Sequence, residues 1–257
     1  MSTLDRDDIY VGYRPLPARD RRFLRLLLPA LLWGMCGAGA LAILSMRSAG
    51  DGQWLTDQTV IVEGTLIMDP YPSVLVRSAR GDKTAPGEGT RALLVESGKF
   101  GSRPGLDALE GSTVRAEGFV LTRAGTVMLE LLPGEDGLRS NGRSDSAADG
   151  PDPSPQPVVL RGEIVDTKCF LGAMKPGTGV PHKACAALCL SGGIPPGFVV
   201  RQPDGIESYY LMTDSSGNPV GTQVLHLLGY SVEIAGTVIE RDGLKFLRCD
   251  PATSKRR

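Results

Sequence analysis

The sequence predicts a mainly β chain in which one transmembrane helix precedes two tandem copies of the same small β-barrel. Three observations lead there. Leu26 to Met46 is a 21-residue run without a charged side chain. Two later segments repeat one another without a gap. Aromatic residues make up only 5% of the chain, while Gly and Pro are frequent, which suits short strands and many turns.

The apolar run comes first. At about 1.5 Å per residue it spans roughly 30 Å, the thickness of a bilayer core. Arg14, Arg19, Arg21, Arg22 and Arg25 precede it, and only Arg47 follows closely. The positive-inside rule then predicts a short cytoplasmic tail (1–22), a transmembrane helix (23–47) and export of everything beyond. Pro29, Gly34, Gly37 and Gly39 within the run are compatible with a membrane helix. A cleaved signal peptide is the competing reading, but the run is long for one and Met46-Arg47 suits cleavage poorly. Arg21-Arg22-Phe23-Leu24-Arg25 is one residue short of a twin-arginine export signal. Trp33-Gly34-Met35 before Cys36 is a poor lipoprotein signal, and Cys36 reads as a small apolar membrane residue.

The repeat defines the exported part. Leu106 to Leu131 aligns with Val224 to Cys249 at an offset of 118, with identities that include Leu109/Leu227, Gly111/Gly229, Gly118/Gly236, Arg123/Arg241 and Gly125/Gly243. Upstream, Ile61 to Ile67 aligns with Val159 to Val165 at an offset of 98, so the second copy is longer by 118 − 98 = 20 residues. A unit of this size is a duplicated domain, not a solenoid.

In the first copy (54–133) alternating apolar residues predict strands at Gln58 to Met68, Ser73 to Arg77 and Arg91 to Glu96. A short helix at Gly105 to Leu109 follows, then strands at Thr113 to Leu121 and Thr126 to Leu132. In the second (158–250) the pieces begin at Val158, Phe198, Tyr209, Thr222, Ser231 and Leu244. Arg241-Asp242-Gly243 is a strong hairpin signal. The order β-β-β-α-β-β, with a glycine inside strands one and four, predicts two OB-fold-like barrels, whose tight coiling needs such glycines. Gly134 to Pro157 lacks apolar periodicity and predicts a flexible linker.

The 20 extra residues of the second copy fall in the loop after its first strand, within 166–197. An OB-fold flanks its ligand face with that loop. It holds Cys169, His182, Cys185 and Cys189, the last three spaced to share one stripe of a helix. In the first copy the same loop is only Asp69-Pro70-Tyr71-Pro72, which casts that copy as a spacer or docking domain. Three readings of the loop stand side by side. Disulfides among Cys169, Cys185, Cys189 and Cys249 would staple it in an oxidising compartment. Cys169, His182, Cys185 and Cys189 would form a Cys3His metal site suited to zinc or copper. Alternatively, a thiol pair would be redox-active, with Lys168, Lys175 and Lys183 nearby to lower thiol pKa values. Asp166, at the end of the first strand, reads as hydrogen-bonding the loop backbone in preference to orienting His182. His226 and Met174 read as packing or surface residues. No c-type haem motif, nucleophile elbow, P-loop or dinucleotide fingerprint is present.

Gly162 to Gly172 (GEIVDTKCFLG), His182 to Cys189 (HKACAALC) and Gly193-Ile194-Pro195-Pro196 resemble a group of small uncharacterised bacterial envelope proteins. Those share G-x-V-V-D-x-x-C-Y-x-G, H-x-x-C-A-x-x-C, G-x-P and a G-x-V-x-x-R-x-G hairpin; Phe170 stands here for the tyrosine. The resemblance covers Val158 to Cys249. It implies an exported OB-like domain with a Cys/His loop and supplies no activity.

With 28 basic against 29 acidic residues, the chain has no basic field for nucleic acid. The expectation is a single-pass protein of the bacterial inner membrane with a periplasmic body. It is a non-enzymatic accessory that binds a metal or redox cofactor, or a partner envelope protein or membrane oxidoreductase. The alternatives are a disulfide-stapled interaction module and a thiol-disulfide oxidoreductase.

Overall fold

The computed structural model describes residues 18–47, 52–81, 85–143, 154–202 and 204–256. They belong to two compact units, Met1–Ser48 and Ala49–Arg257. Helix α1 (Ala18–Arg47) makes up the first. Within it Asp20–Leu44 is long and apolar enough to cross a membrane, and none of that span is buried. The helix begins ahead of the apolar run because arginine is itself a good helix former. Most of the expected cytoplasmic tail, residues 1–17, lies outside the described residues.

The second unit is built from two sheets. The first contains β1 (Gln53–Ile67), β2 (Ser73–Arg80), β3 (Arg91–Val95), β4 (Ser112–Arg123), β5 (Thr126–Leu131) and β6 (Leu138–Arg143). Their order is β1-β2-β3-β5-β4-β6, and a further β1–β4 pairing closes the sheet into a barrel. The second contains β7 (Gln156–Asp166), β8 (Pro196–Arg201), β9 (Glu207–Thr213), β10 (Ser231–Arg241), β11 (Leu244–Cys249) and β12 (Lys255–Arg256). It has the order β11-β9-β8-β7-β10-β12 and closes through β10–β11. In both, one pairing is parallel, β3 with β5 and β9 with β11. The predicted short helices are 3-10 turns at Leu106–Leu109 and Thr222–Leu227.

Both sheets gain a strand that periodicity does not reveal. β6 pairs with β4 around Val114↔Ser140, and β12 pairs with β10 at Val232↔Arg256. The expected linker is therefore shorter at its start. Leu138 is buried and anchors the polar run Arg139–Arg143 to a barrel edge, where backbone pairing alone suffices. Residues 144–153 lie outside the described residues.

The repeated glycines do the same job in each barrel. A Cβ at Gly64 would sit 2.0 Å from the Leu75 carbonyl oxygen, and one at Gly162 2.1 Å from that of Val199. Only a residue without a side chain lets these strands cross so closely. The two-residue hairpin turns are also equivalent. Ala124 and Gly125 have φ of 50° and 78°, and Asp242 and Gly243 have 53° and 78°. Positive φ at both positions matches the right-handed strand twist.

Each barrel has its own apolar interior, one around Val62, Leu66, Val114 and Leu129, the other around Phe198, Met212, Val232 and Leu247. A third cluster joins them. It packs Tyr71, Leu93, Leu121 and Met128 of the first barrel against Phe170, Leu171, Tyr209 and Phe246 of the second. The first barrel is therefore not a separate spacer. Arg123 forms a two-pronged ion pair with Glu207 and donates to the Phe170 carbonyl at 3.1 Å. Its guanidinium lies 4.1 Å from the Phe170 ring centre, and Phe170 stacks on Tyr209. The Tyr71 hydroxyl donates to the Met212 carbonyl at 2.6 Å and accepts from the Val220 amide at 3.1 Å.

Candidate metal centre

The long loop leaves β7 at Asp166 and returns to β8 at Pro196. Cys169 opens a wide π-type helical turn, Cys169–Ala173. A 3-10 turn, Val180–His182, then leads into helix α2 (Lys183–Ser191), which carries Cys185 and Cys189 one turn apart. The Cys169 sulfur lies 3.9 Å from that of Cys185 and 4.0 Å from that of Cys189. Cys169 and Cys189 are buried, while Cys185 is partly open. The three sulfurs form one group with metal-ligand spacing, and Asp166, Cys169 and His182 form a second that shares Cys169. Together they can hold a metal ion.

His182 stands apart from the three-thiol group. Its Nε2 meets Asp166 Oδ2 at 2.7 Å, with both side chains buried. Asp166 Oδ1 accepts the Cys169 amide at 2.8 Å. The carboxylate thus fixes the loop backbone, as its position predicted, and holds the imidazole as well. The 3-10 turn that carries His182 runs directly into α2, and the His182 ligand atom lies within 4.8 Å of the Cys169 sulfur.

Cys249 is not part of the site. Its sulfur donates to the Thr213 carbonyl at 3.7 Å within the second barrel's own interior. No disulfide joins Cys249 to the loop, because it points into a different core. All five cysteines are free thiols.

The fourth side of the thiol group comes from the first barrel. Lys99, in the segment after β3, donates its ammonium to Cys185 at 2.8 Å and lies 3.7 Å from Cys189. The hydrogen bond to Cys185 is the main reason its own pKa rises. A hydrogen bond from Cys169 lowers the Cys189 pKa, aided by the Lys99 charge and opposed by burial. Cys169, donating to Cys189, buried and beside Asp166, is pushed the other way. The two thiols are thus pushed in opposite directions, with the Lys99 ammonium beside them.

The lysines expected to tune the thiols have other partners. Lys168 turns away to the first barrel, where it pairs with Glu130 at 3.2 Å and donates to the Glu96 and Gly98 carbonyls at 2.9 and 2.7 Å. Lys183 lies over the Tyr230 ring. Lys175 is exposed, as are His226 and Met174. Lys99 itself was missed, because a docked loop from another repeat leaves no periodic trace in the sequence. The Gly98-Lys99-Phe100-Gly101 surroundings were its only signal: the Gly101 amide donates to the Gly192 carbonyl at 2.9 Å, tying that loop to the end of α2.

No protein-family model, curated protein or solved structure matches this chain, so the geometry of these side chains carries the functional reading.

Proposed function

We propose that this chain is a single-pass inner-membrane protein whose exported body holds a soft metal ion, zinc or copper, between Cys169, Cys185 and Cys189. It acts as an accessory to a partner envelope protein or membrane oxidoreductase. The arginines before α1 support the orientation. The strand order, with its single parallel pairing and closure between first and fourth strands, supports an OB-fold reading of each barrel. The thiols then occupy the loop that such barrels use for ligands.

The observation that carries the metal reading is the sulfur spacing. For a metal–sulfur bond of about 2.3 Å, tetrahedral ligands stand about 3.8 Å apart, whereas a disulfide needs about 2.05 Å. The sulfurs lie 3.9 and 4.0 Å apart, without forming a disulfide. The test is metal content and free thiols of the full chain, purified in detergent without reductant. Stoichiometric metal that disappears in Cys185→Ser supports the reading; free thiols without metal refute it.

The Lys99 contact with Cys185 favours a second reading, a redox-active thiol pair. It predicts one labile Cys169–Cys185 or Cys169–Cys189 disulfide that a glutathione buffer reduces readily.

A further inference from the structure

We infer that the metal centre is three-coordinate and sulfur-only, and that it selects a soft monovalent ion of the copper(I) class over zinc. This rests on the metal reading above and specifies its ion.

Ligand number is the first argument. Among the described residues, the group containing all three sulfurs has no fourth histidine, cysteine or carboxylate. His182 has its Nε2 on Asp166, and that pair is buried. With Nε2 on Asp166 the imidazole could ligate only through Nδ1, and His182 shares a ligand group with Cys169 but not with Cys185 and Cys189. Structural zinc sites are almost always four-coordinate and tetrahedral, so zinc here lacks a protein ligand. Thiolates are the soft ligands that select copper(I), and a closed-shell monovalent ion accepts three of them in a plane.

The second argument is geometric. With the same bond of about 2.3 Å, three sulfurs around an in-plane ion stand about 4.0 Å apart, against about 3.8 Å in a tetrahedron. The Cys169 sulfur, 3.9 Å from that of Cys185 and 4.0 Å from that of Cys189, stands within reach of an ion shared by all three. An in-plane ion also leaves the Lys99 ammonium in place, hydrogen-bonded to a ligand sulfur.

Charge is the third. The advantage of a divalent over a monovalent ion grows with the negative charge of its site. Lys99 offsets one of three thiolate charges, which reduces the zinc advantage. The lysine is an outer-shell partner that tunes the ion and does not ligate it.

The test uses the full chain in detergent, stripped of metal and kept anaerobic. Copper(I) is titrated in competition with bicinchoninate, zinc(II) is titrated separately, and X-ray absorption is recorded on each loaded sample. The expected result is one copper(I) per chain with three sulfur neighbours and no imidazole, and no stoichiometric zinc after gel filtration. His182→Gln, which can still hydrogen-bond Asp166, should change copper affinity less than about threefold, whereas Cys185→Ser should lower it by about a hundredfold or more. Because the absorption spectrum of the unaltered chain counts nitrogen neighbours directly, the inference does not depend on how well a variant folds. Retained zinc with three sulfurs and one nitrogen overturns the inference and leaves the metal reading standing. Failure to bind either ion overturns both.

Discussion

Replacing Lys168 by methionine should destabilise the two-barrel unit by about 4 kcal/mol. Lys168 and Glu130 face each other across the barrel junction with 4% and 6% of their side chains exposed. Methionine fills much of the same volume but abandons the carboxylate. Glu130 Oε2 already accepts no hydrogen bond among the described residues, so the carboxylate leans on Lys168 through Oε1. Breaking one side of a buried pair costs about 3–5 kcal/mol. That range includes the donor that the Glu96 and Gly98 carbonyls lose with the lysine. Against an m-value of about 2 kcal/mol per M, the urea midpoint of the full chain in detergent, followed by far-ultraviolet circular dichroism, should fall by about 2 M. Lys168→Met combined with Glu130→Leu should recover most of the loss, because an apolar pair replaces an ion pair. The exposed pair Arg139–Asp136 is the control, and Arg139→Met should cost less than about 0.5 kcal/mol. A single-variant loss under about 1 kcal/mol, or a double variant no better than the single, would refute the reasoning.

Three further outcomes are expected. In Gly101→Ala a Cβ would sit 2.3 Å from the Gly193 carbonyl oxygen, so the loop carrying Lys99 must lift; stability should drop by about 2 kcal/mol and maleimide should label Cys185 faster. In Lys99→Met the Cys189 sulfur loses a nearby positive charge that lowers its pKa, so the onset of ultraviolet thiolate absorbance should move to higher pH; an unchanged onset would remove Lys99 from the electrostatics of the site. Burial pushes the Cys249 thiol up to about 11 from an ordinary 9.0. The native state therefore keeps a proton that the unfolded chain has lost. Stability contributed by this thiol is full below pH 9 and is lost as pH rises towards 11, by up to about 1.4 kcal/mol per pH unit. Cys249→Ala should flatten that decline relative to the parent protein, and parallel pH profiles would contradict it.

Much of the fold was legible because its signals are local. Alternating apolar residues placed β2, β4 and β10, the Asp242-Gly243 turn announced its hairpin, and the repeat placed elements in one copy from the other. The two added strands were not legible, because β6 is one leucine followed by the polar run Arg139–Arg143 and β12 is two basic residues; each is held by backbone pairing to an existing edge. Within the site, helical spacing put Cys185 and Cys189 on one face, whereas the approach of Cys169 depends on the path of a long loop, which spacing does not encode. Nor did spacing place His182. Spacing assumed one continuous helix, whereas a 3-10 turn through Val180–His182 rotates the imidazole onto Asp166. Lys99 and the shared core were hidden for a different reason. Contacts between two halves of a duplicated chain depend on which outer faces are complementary, and no single strand or helix pattern encodes that.

The barrels exchange lysines. Lys168, next to Cys169, crosses into the first barrel to hold the Glu96–Gly98 turn, and Lys99, just beyond that turn, crosses back to the thiols. Such reciprocity makes the ancestral duplication irreversible. Neither half can be deleted, swapped with a homologous half or re-spaced by insertion without disturbing the chemistry carried by the other. It also sets an order during folding: the thiols acquire their counter-charge only after both halves have docked. Sequence drift in the two repeats should accordingly be coupled at the docking face and independent on the outer walls.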